Sequence, residues 1–193
     1  MKETESGRRS NQSLFAMLGL LSIKPMTGYE LRKLSEESIQ HFWRESYGQI
    51  YPSLKELESR GWATRRCEEG QGRPNRQVYS LTEEGRAALK NWLEQPVKDE
   101  VLRVEILLKL FFGRQAPAGV NLAHVTEHAQ AHRQLLTVYA ATEAHLRKTC
   151  AGHRDLTYWL LTLSYGRRRS EAILGWCEEA LAMLGAEAGA NAI

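Results

Sequence analysis

Ten consecutive residues, Ser46-Tyr47-Gly48-Gln49-Ile50-Tyr51-Pro52-Ser53-Leu54-Lys55, bring together groups that bind phosphate and a group that reads a base edge. Ser46 stands where it can cap a helix, and the backbone N–H groups exposed at a helix start hold anionic oxygens. Gly48 lets a phosphate approach the backbone closely. The Gln49 amide matches the donor–acceptor pattern of an adenine edge, while the Tyr47 and Tyr51 hydroxyls and the Lys55 ammonium suit phosphates. Pro52 is the awkward member: it removes a backbone donor inside a helix, so a 3₁₀-like or kinked first turn is expected there. Downstream, Gly70-Gln71-Gly72-Arg73-Pro74-Asn75-Arg76 places Arg73 and Arg76 on a glycine-rich arm. Guanidinium groups on such an arm suit the negative potential of a minor groove. Each feature alone is equally compatible with an ordinary solvated surface.

His124, His128 and His132 recur every four residues and share one helix face. A His pair at that spacing can chelate zinc or copper, but a straight row of three drifts around the helix and nothing in the sequence completes an obvious site. The expectation is a partly packed, partly solvated face and no metal. Trp92, Phe112 and Trp159 are candidates for lining an effector pocket, although aromatic residues at helical spacing serve more often in a core or a dimer interface. The three cysteines, Cys67, Cys150 and Cys177, are odd in number and widely spaced, so neither a disulfide framework nor a cysteine zinc site is expected. No cofactor motif is found. Nor is a Ser-His-Asp order, a nucleophile elbow or a phosphate-binding glycine loop, and no enzyme is expected.

These groups need elements to hold them. Leu14, Met17, Leu18 and Leu21 form one apolar face of a first helix that ends near Lys24-Pro25. Thr27-Gly28-Tyr29-Glu30 fits a capping box and starts a second helix with Leu31, Leu34 and Ser35 inward. A third helix over 46–59 buries Ile50, Leu54 and Leu57, which turns Gly48, Gln49, Pro52, Lys55, Glu56 and Ser59 outward. Alternating segments over 62–67 and 76–81 flank a Gly- and Pro-rich stretch and predict a β-hairpin with a long tip. Thr82 caps a fourth helix, with Leu89, Trp92 and Leu93 inward and Pro96 as its stop.

Everything beyond Asp99 reads as helical: a short apolar segment over 101–112, a break over 117–119, then long amphipathic helices over 122–149 and 156–184 separated around Gly152. In the last, Leu156, Leu163, Ser170, Cys177 and Leu184 recur every seven residues, with Leu160, Leu174 and Leu181 beside them. A sustained stripe of that period packs lengthwise on another helix. Leu156, Leu160, Leu163, Leu174, Cys177 and Leu181 are therefore expected to pair two chains.

The charge is placed unevenly. Of the net +3, residues 1–98 hold 16 Lys+Arg against 13 Asp+Glu, and residues 99–193 hold 10 of each. The excess lies in the half that carries the phosphate-binding groups. No apolar run reaches the roughly 18–20 residues that span a bilayer, and the polar start MKETESGRRSNQS lacks the apolar core of a signal peptide. A cytoplasmic protein without a membrane partner is expected.

Together, Ser46 to Leu54, Leu57-Glu58-x-x-Gly61, Gly72-Arg73-Pro74, Tyr79-x-Leu81-Thr82-x-x-Gly85 and Thr27-Gly28-Tyr29-Glu30-Leu31 resemble the PadR family of bacterial transcriptional regulators over residues 14–95. Leu107-Leu108-Lys109-Leu110-Phe111-Phe112 and Trp176-x-x-Glu179-Ala180-Leu181 make the second half similar to the long-tailed members, whose helical dimerisation domain is related to that of the virulence activator AphA. Arg167-Arg168-Arg169 departs from that pattern. The resemblance implies a mainly α fold: a tail over 1–12, a winged helix-turn-helix over 13–97, an α-helical dimerisation and effector domain over 98–185, and a loose tail over 186–193. It implies a homodimeric repressor, less often an activator, that binds a near-palindromic DNA operator and answers to a small aromatic or lipophilic effector. The alternatives are a winged helix that docks another protein, or a ligand sensor without direct DNA readout.

Overall fold

The computed structural model describes residues 5–43, 47–68, 75–97, 102–117 and 119–190, with the backbone alone for 5–11, 47 and 188–190. The chain divides into two compact units, Met1–Lys98 and Asp99–Ile193.

The first unit runs α1 (Glu5–Leu21), β1 (Met26–Thr27), α2 (Gly28–Ser38), α3 (Tyr47–Ser59), β2 (Ala63–Glu68), β3 (Arg76–Leu81) and α4 (Glu83–Glu94). The strands form one antiparallel sheet in the order β1-β3-β2; Ala63 pairs with Leu81 at the base of the hairpin and Glu68 with Arg76 near its tip. The apolar faces of α1, α2 and α3 meet in one core, where Met17, Leu18, Leu31, Leu54 and Leu57 are fully buried. Each such side chain contributes about 1.5–3 kcal/mol by leaving water. Two local devices set the angle between α3 and the sheet. Gly61, at φ +72, closes α3 with the Trp62 N–H on the Leu57 carbonyl and its own N–H on the Glu58 carbonyl. Thr82 then caps α4, accepting from the Gly85 N–H at 3.0 Å while its hydroxyl donates to the Gly61 carbonyl at 2.7 Å.

Several expectations need correction here. Helix α1 begins at Glu5, inside the segment expected to be a tail, because extending a formed helix is far easier than starting one. Helix α3 is α-helical throughout, Pro52 included; the missing Pro52 N–H leaves only the exposed Gly48 carbonyl without its usual donor. On α4 the buried position is Gly85 and Leu89 is half-buried, whereas Leu93 is 66% exposed and Trp92 37%. The two-residue β1 has no periodic signal and was not expected.

The second unit runs α5 (Glu105–Phe111), a 3₁₀ turn (Gly113–Gln115), α6 (Val120–Thr149) and α7 (Leu156–Ala190). Gly119 and Gly152 both adopt positive φ where the chain turns into α6 and between α6 and α7. The two long helices pack along their length: Cys177 lies against Val125 and Ala129, and Tyr139 occupies the space where a side chain on Gly166 would stand. Ser170 keeps its place in the buried stripe through a 3.0 Å hydrogen bond with His132 Nδ1. The expected role of Leu163 and Cys177 between chains is thereby corrected, since both are buried within one chain. Leu156, Leu160, Leu174 and Leu181 are half-buried, the last two against the same cluster. Helix α7 continues to Ala190, through most of the segment expected to be a loose tail, which is rich in the best helix former, alanine. Among the described residues no helix is long and apolar enough to cross a membrane.

Candidate nucleic-acid interface

Helix α3 has one face in the core and one in solvent. Ile50, Ser53, Leu54 and Leu57 are buried, which leaves Gly48, Gln49, Pro52, Lys55, Glu56 and Ser59 exposed, as the wheel requires. The two acidic side chains at its C-terminal end are held by arginines: Arg60 reaches Glu56 at 2.8 Å and Arg65 of β2 reaches Glu58 at 3.2 Å. Arg60 also lies 5.0 Å above the Trp62 ring. Among the described residues Lys55 makes no ion pair, so positive charge is what this face of α3 offers to a partner. Of the expected contacts, Ser46 and Arg73 lie outside the described residues, as does the side chain of Tyr47.

Tyr51 stands on the flank, 57% exposed, with its ring over the start of α2. A Cβ at Gly28 would sit 2.7 Å from its Cε1, so only glycine admits the ring in this position. Directly beside it, the capping box of α2 is complete. Thr27 Oγ1 accepts from the Glu30 N–H, and Glu30 Oε2 accepts from the Thr27 N–H at 2.8 Å. The other oxygen, Oε1, accepts from Arg76 Nη2 at 2.8 Å, which ties the first residue of β3 to the first turn of α2. The Thr27 backbone N–H above all, then its hydroxyl and Arg76, hold the Glu30 carboxyl below its ordinary range. Arg76 is thus a brace near the tip of the hairpin with N–H groups to spare. Sequence reasoning missed Glu30 as its anchor and missed Arg60, Arg65 and Arg66; the Arg65-Arg66 pair in an alternating segment was the available signal. It also passed over Tyr29, 68% exposed in the first turn of α2.

The aromatic candidates do not share one environment. Trp92 stacks on Phe15 within the first unit, ring centroids 4.8 Å apart. In the second unit Phe112 is 60% exposed and meets Phe111 edge-on, while the half-buried Trp159 stacks on His153. A cleft of about 270 Å³ lies between α5 and α6, lined by Glu105, Ile106, Lys109, His124, Glu127, His128 and Ala131; none of the three candidates borders it. His128 stands edge-on to both His132 and Trp176. Burial, followed by the charges of His128 and Arg169, lowers the pKa of His132. No group of three metal-ligating side chains converges among the described residues.

Two family models match the chain: the transcriptional regulator PadR-like family over residues 17–91 and the virulence activator alpha C-terminal family over residues 102–185. The negative transcriptional regulator PadR of Bacillus subtilis is 27% identical over 176 residues, covering 88% of this chain and 96% of that one. Its structure in complex with operator DNA superposes with a TM-score of 0.76 at 26% identity, over 89% of this chain and 98% of the other. Its complex with p-coumaric acid gives 0.69 at 26% identity, over 89% and 97%. The Vibrio cholerae virulence activator AphA gives 0.73 at 28% identity, over 90% and 98%. With a winged helix-turn-helix in its first unit and long paired helices in its second, the chain joins a PadR-like transcriptional-regulator domain over residues 17–91 to a C-terminal domain of the virulence-activator type over residues 102–185.

Proposed function

We propose that this regulator is a homodimeric repressor that reads a near-palindromic operator through α3 and is released by a small aromatic or lipophilic effector. The observation that carries the reading is the exposed polar face of α3 on a helix whose other face is fully buried. Gln49 reads a base edge; Ser46, Tyr47, Gly48, Tyr51 and Lys55 position the helix on phosphates, and Pro52 leaves the Gly48 carbonyl open at the groove. Arg73, in the segment that joins β2 to β3, takes a minor-groove contact, and Arg76, braced by Glu30, supports the hairpin and meets the backbone beside it. The repressor and effector parts are supported by the Bacillus subtilis relative, named a negative regulator and solved with operator DNA and with p-coumaric acid. Phe112 and Trp159 in the second unit, and Trp92 in the first, are the aromatic side chains we assign to such an effector. The homodimer is supported by the apolar surface that α5 leaves uncovered, where Leu107, Leu108, Phe111 and Phe112 are all exposed.

The test is a gel-shift titration of the full chain on its own upstream DNA against scrambled DNA of equal length. Wild-type protein should prefer the upstream fragment. Gln49→Ala should lose about 1–3 kcal/mol of that preference and keep its non-specific affinity. Equal binding to both fragments by the wild type would remove the specific-readout reading.

A further inference from the structure

Gly28 opens α2, and its own backbone does not require glycine. The positive φ values among the described residues belong to Gly61, Gly119 and Gly152. Within a helix alanine is the better former. The reason for glycine lies in the space around it. Gly28 is buried, although Tyr29 beside it is 68% exposed. A Cβ at Gly28 would lie 2.7 Å from Cε1, 3.1 Å from Cζ and 3.3 Å from the hydroxyl oxygen of Tyr51, and these are its three nearest neighbours. The outer end of the Tyr51 phenol therefore occupies the place of the missing side chain.

The seat is firm. Thr27 and Glu30 close the capping box on either side of Gly28, and Glu30 also holds Arg76 of β3. The side chain lying on the seat is otherwise 57% exposed. Among the described residues the Tyr51 hydroxyl has no hydrogen-bond partner. Packing thus fixes the ring and leaves its donor for a group outside the chain. Resting on the DNA reading above, we propose that Gly28 is a positioning residue: it seats the Tyr51 ring on the first turn of α2, so that the hydroxyl donates to one operator phosphate in a direction set before the DNA arrives.

Seating the ring has two consequences. A side chain free in solvent must be immobilised on binding, and the seat removes that cost from the complex. A directed bond to one phosphate also fixes α3 along the DNA backbone, so that Gln49, two residues earlier, meets one base edge and not its neighbour. Lys55 does not replace this, because its ammonium sits on a flexible stem and acts as a point charge. Substitution separates aim from fold. In Gly28→Ala the new methyl group meets the far end of an exposed side chain and no backbone atom among its three nearest neighbours. The ring swings away, the hydroxyl loses its direction and the helix stays.

The experiment is a double-mutant cycle on the full chain. Kd for the upstream DNA fragment is measured for wild type, Gly28→Ala, Tyr51→Phe, Tyr51→Ala and Gly28→Ala combined with Tyr51→Ala, with a thermal melt of each. Tyr51→Phe removes the donor and Gly28→Ala misdirects it, so each should weaken binding by roughly ten-fold or more. On Tyr51→Ala, where no ring is left to aim, Gly28→Ala should change Kd by less than about two-fold. A neutral hydroxyl releases no counterion, so Tyr51→Phe and Gly28→Ala should both keep the wild-type salt slope. The melting midpoint of Gly28→Ala should stay within a few degrees of wild type. Should Gly28→Ala misfold, adding Tyr51→Ala should restore the fold, and Tyr51→Phe still tests the hydroxyl. Gly28→Ala losing affinity equally in both backgrounds, or binding as wild type does, overturns the positioning role. Tyr51→Phe binding as tightly as wild type overturns the hydroxyl contact. A wild-type chain without preference for the upstream fragment overturns the DNA reading itself.

Discussion

Removing the Glu30 side chain tests the link between the start of α2 and the outer end of the hairpin. Its carboxylate does two jobs with two oxygens: Oε2 closes the capping box on Thr27, and Oε1 holds Arg76 at 2.8 Å. A helix cap contributes about 1 kcal/mol. The pair with Arg76 is roughly half exposed on both sides, which limits it to about 0.2–1 kcal/mol. Glu30→Gln keeps an acceptor for the Thr27 N–H and loses the ion pair, so it should cost about 0.5 kcal/mol. Glu30→Ala loses both and should cost about 1.5 kcal/mol, a drop of roughly 0.5–1.5 M in urea midpoint. Urea titrations of the full chain with the three proteins side by side measure the order. The pH dependence gives a second check. The Glu30 pKa is lowered in the fold from its usual 4.5, so its contribution is complete above that pH and fades as pH falls through the lowered value. Glu30→Ala should lack this component of acid destabilisation. Equal costs for Gln and Ala, or an Ala variant as stable as wild type, would refute the division of labour.

Gly85→Ala should be far more damaging than an ordinary helix Gly→Ala change. The new Cβ would lie 2.0 Å from the Trp62 carbonyl oxygen, so α4 and the start of β2 must separate, at about 3 kcal/mol or more; a thermal midpoint within a few degrees of wild type would contradict this. Lys55→Ala should leave stability unchanged and flatten the salt dependence of DNA binding by about one unit, measured by titrating at several salt concentrations.

Local patterns in the chain were informative where they were periodic. Ile50, Leu54 and Leu57 orient α3, and with it the outward Gln49 and Lys55, without help from any other segment. Thr27 and Glu30 declare a capping box three residues apart. Interactions that depend on distant partners were not legible. Arg76 looks like a loop arginine until folding brings Glu30, 46 positions away, against it. Leu163 and Cys177 satisfy a heptad, but a heptad does not say whether its partner helix belongs to the same chain; here it is α6. Ser170 is the polar member of that stripe, and its partner, His132 across the seam, is visible only in the fold. Leu93 obeyed the helical period and is exposed nonetheless, because α4 meets the rest of its unit along the line of Gly85, Leu89 and the Trp92 ring that stacks on Phe15, and Leu93 lies to one side of it.

In the proposed complex α3 places Gln49 and its phosphate-binding neighbours in a major groove, twice, in a symmetric dimer. Nuclease footprinting of the full chain on its own upstream region reads out that placement. Two protected half-sites related by a dyad, with centres about 34 Å apart or a multiple of that, are expected, and both should weaken together in Gln49→Ala. Protection of a single stretch without a dyad, or none at concentrations where the protein is dimeric, would contradict it.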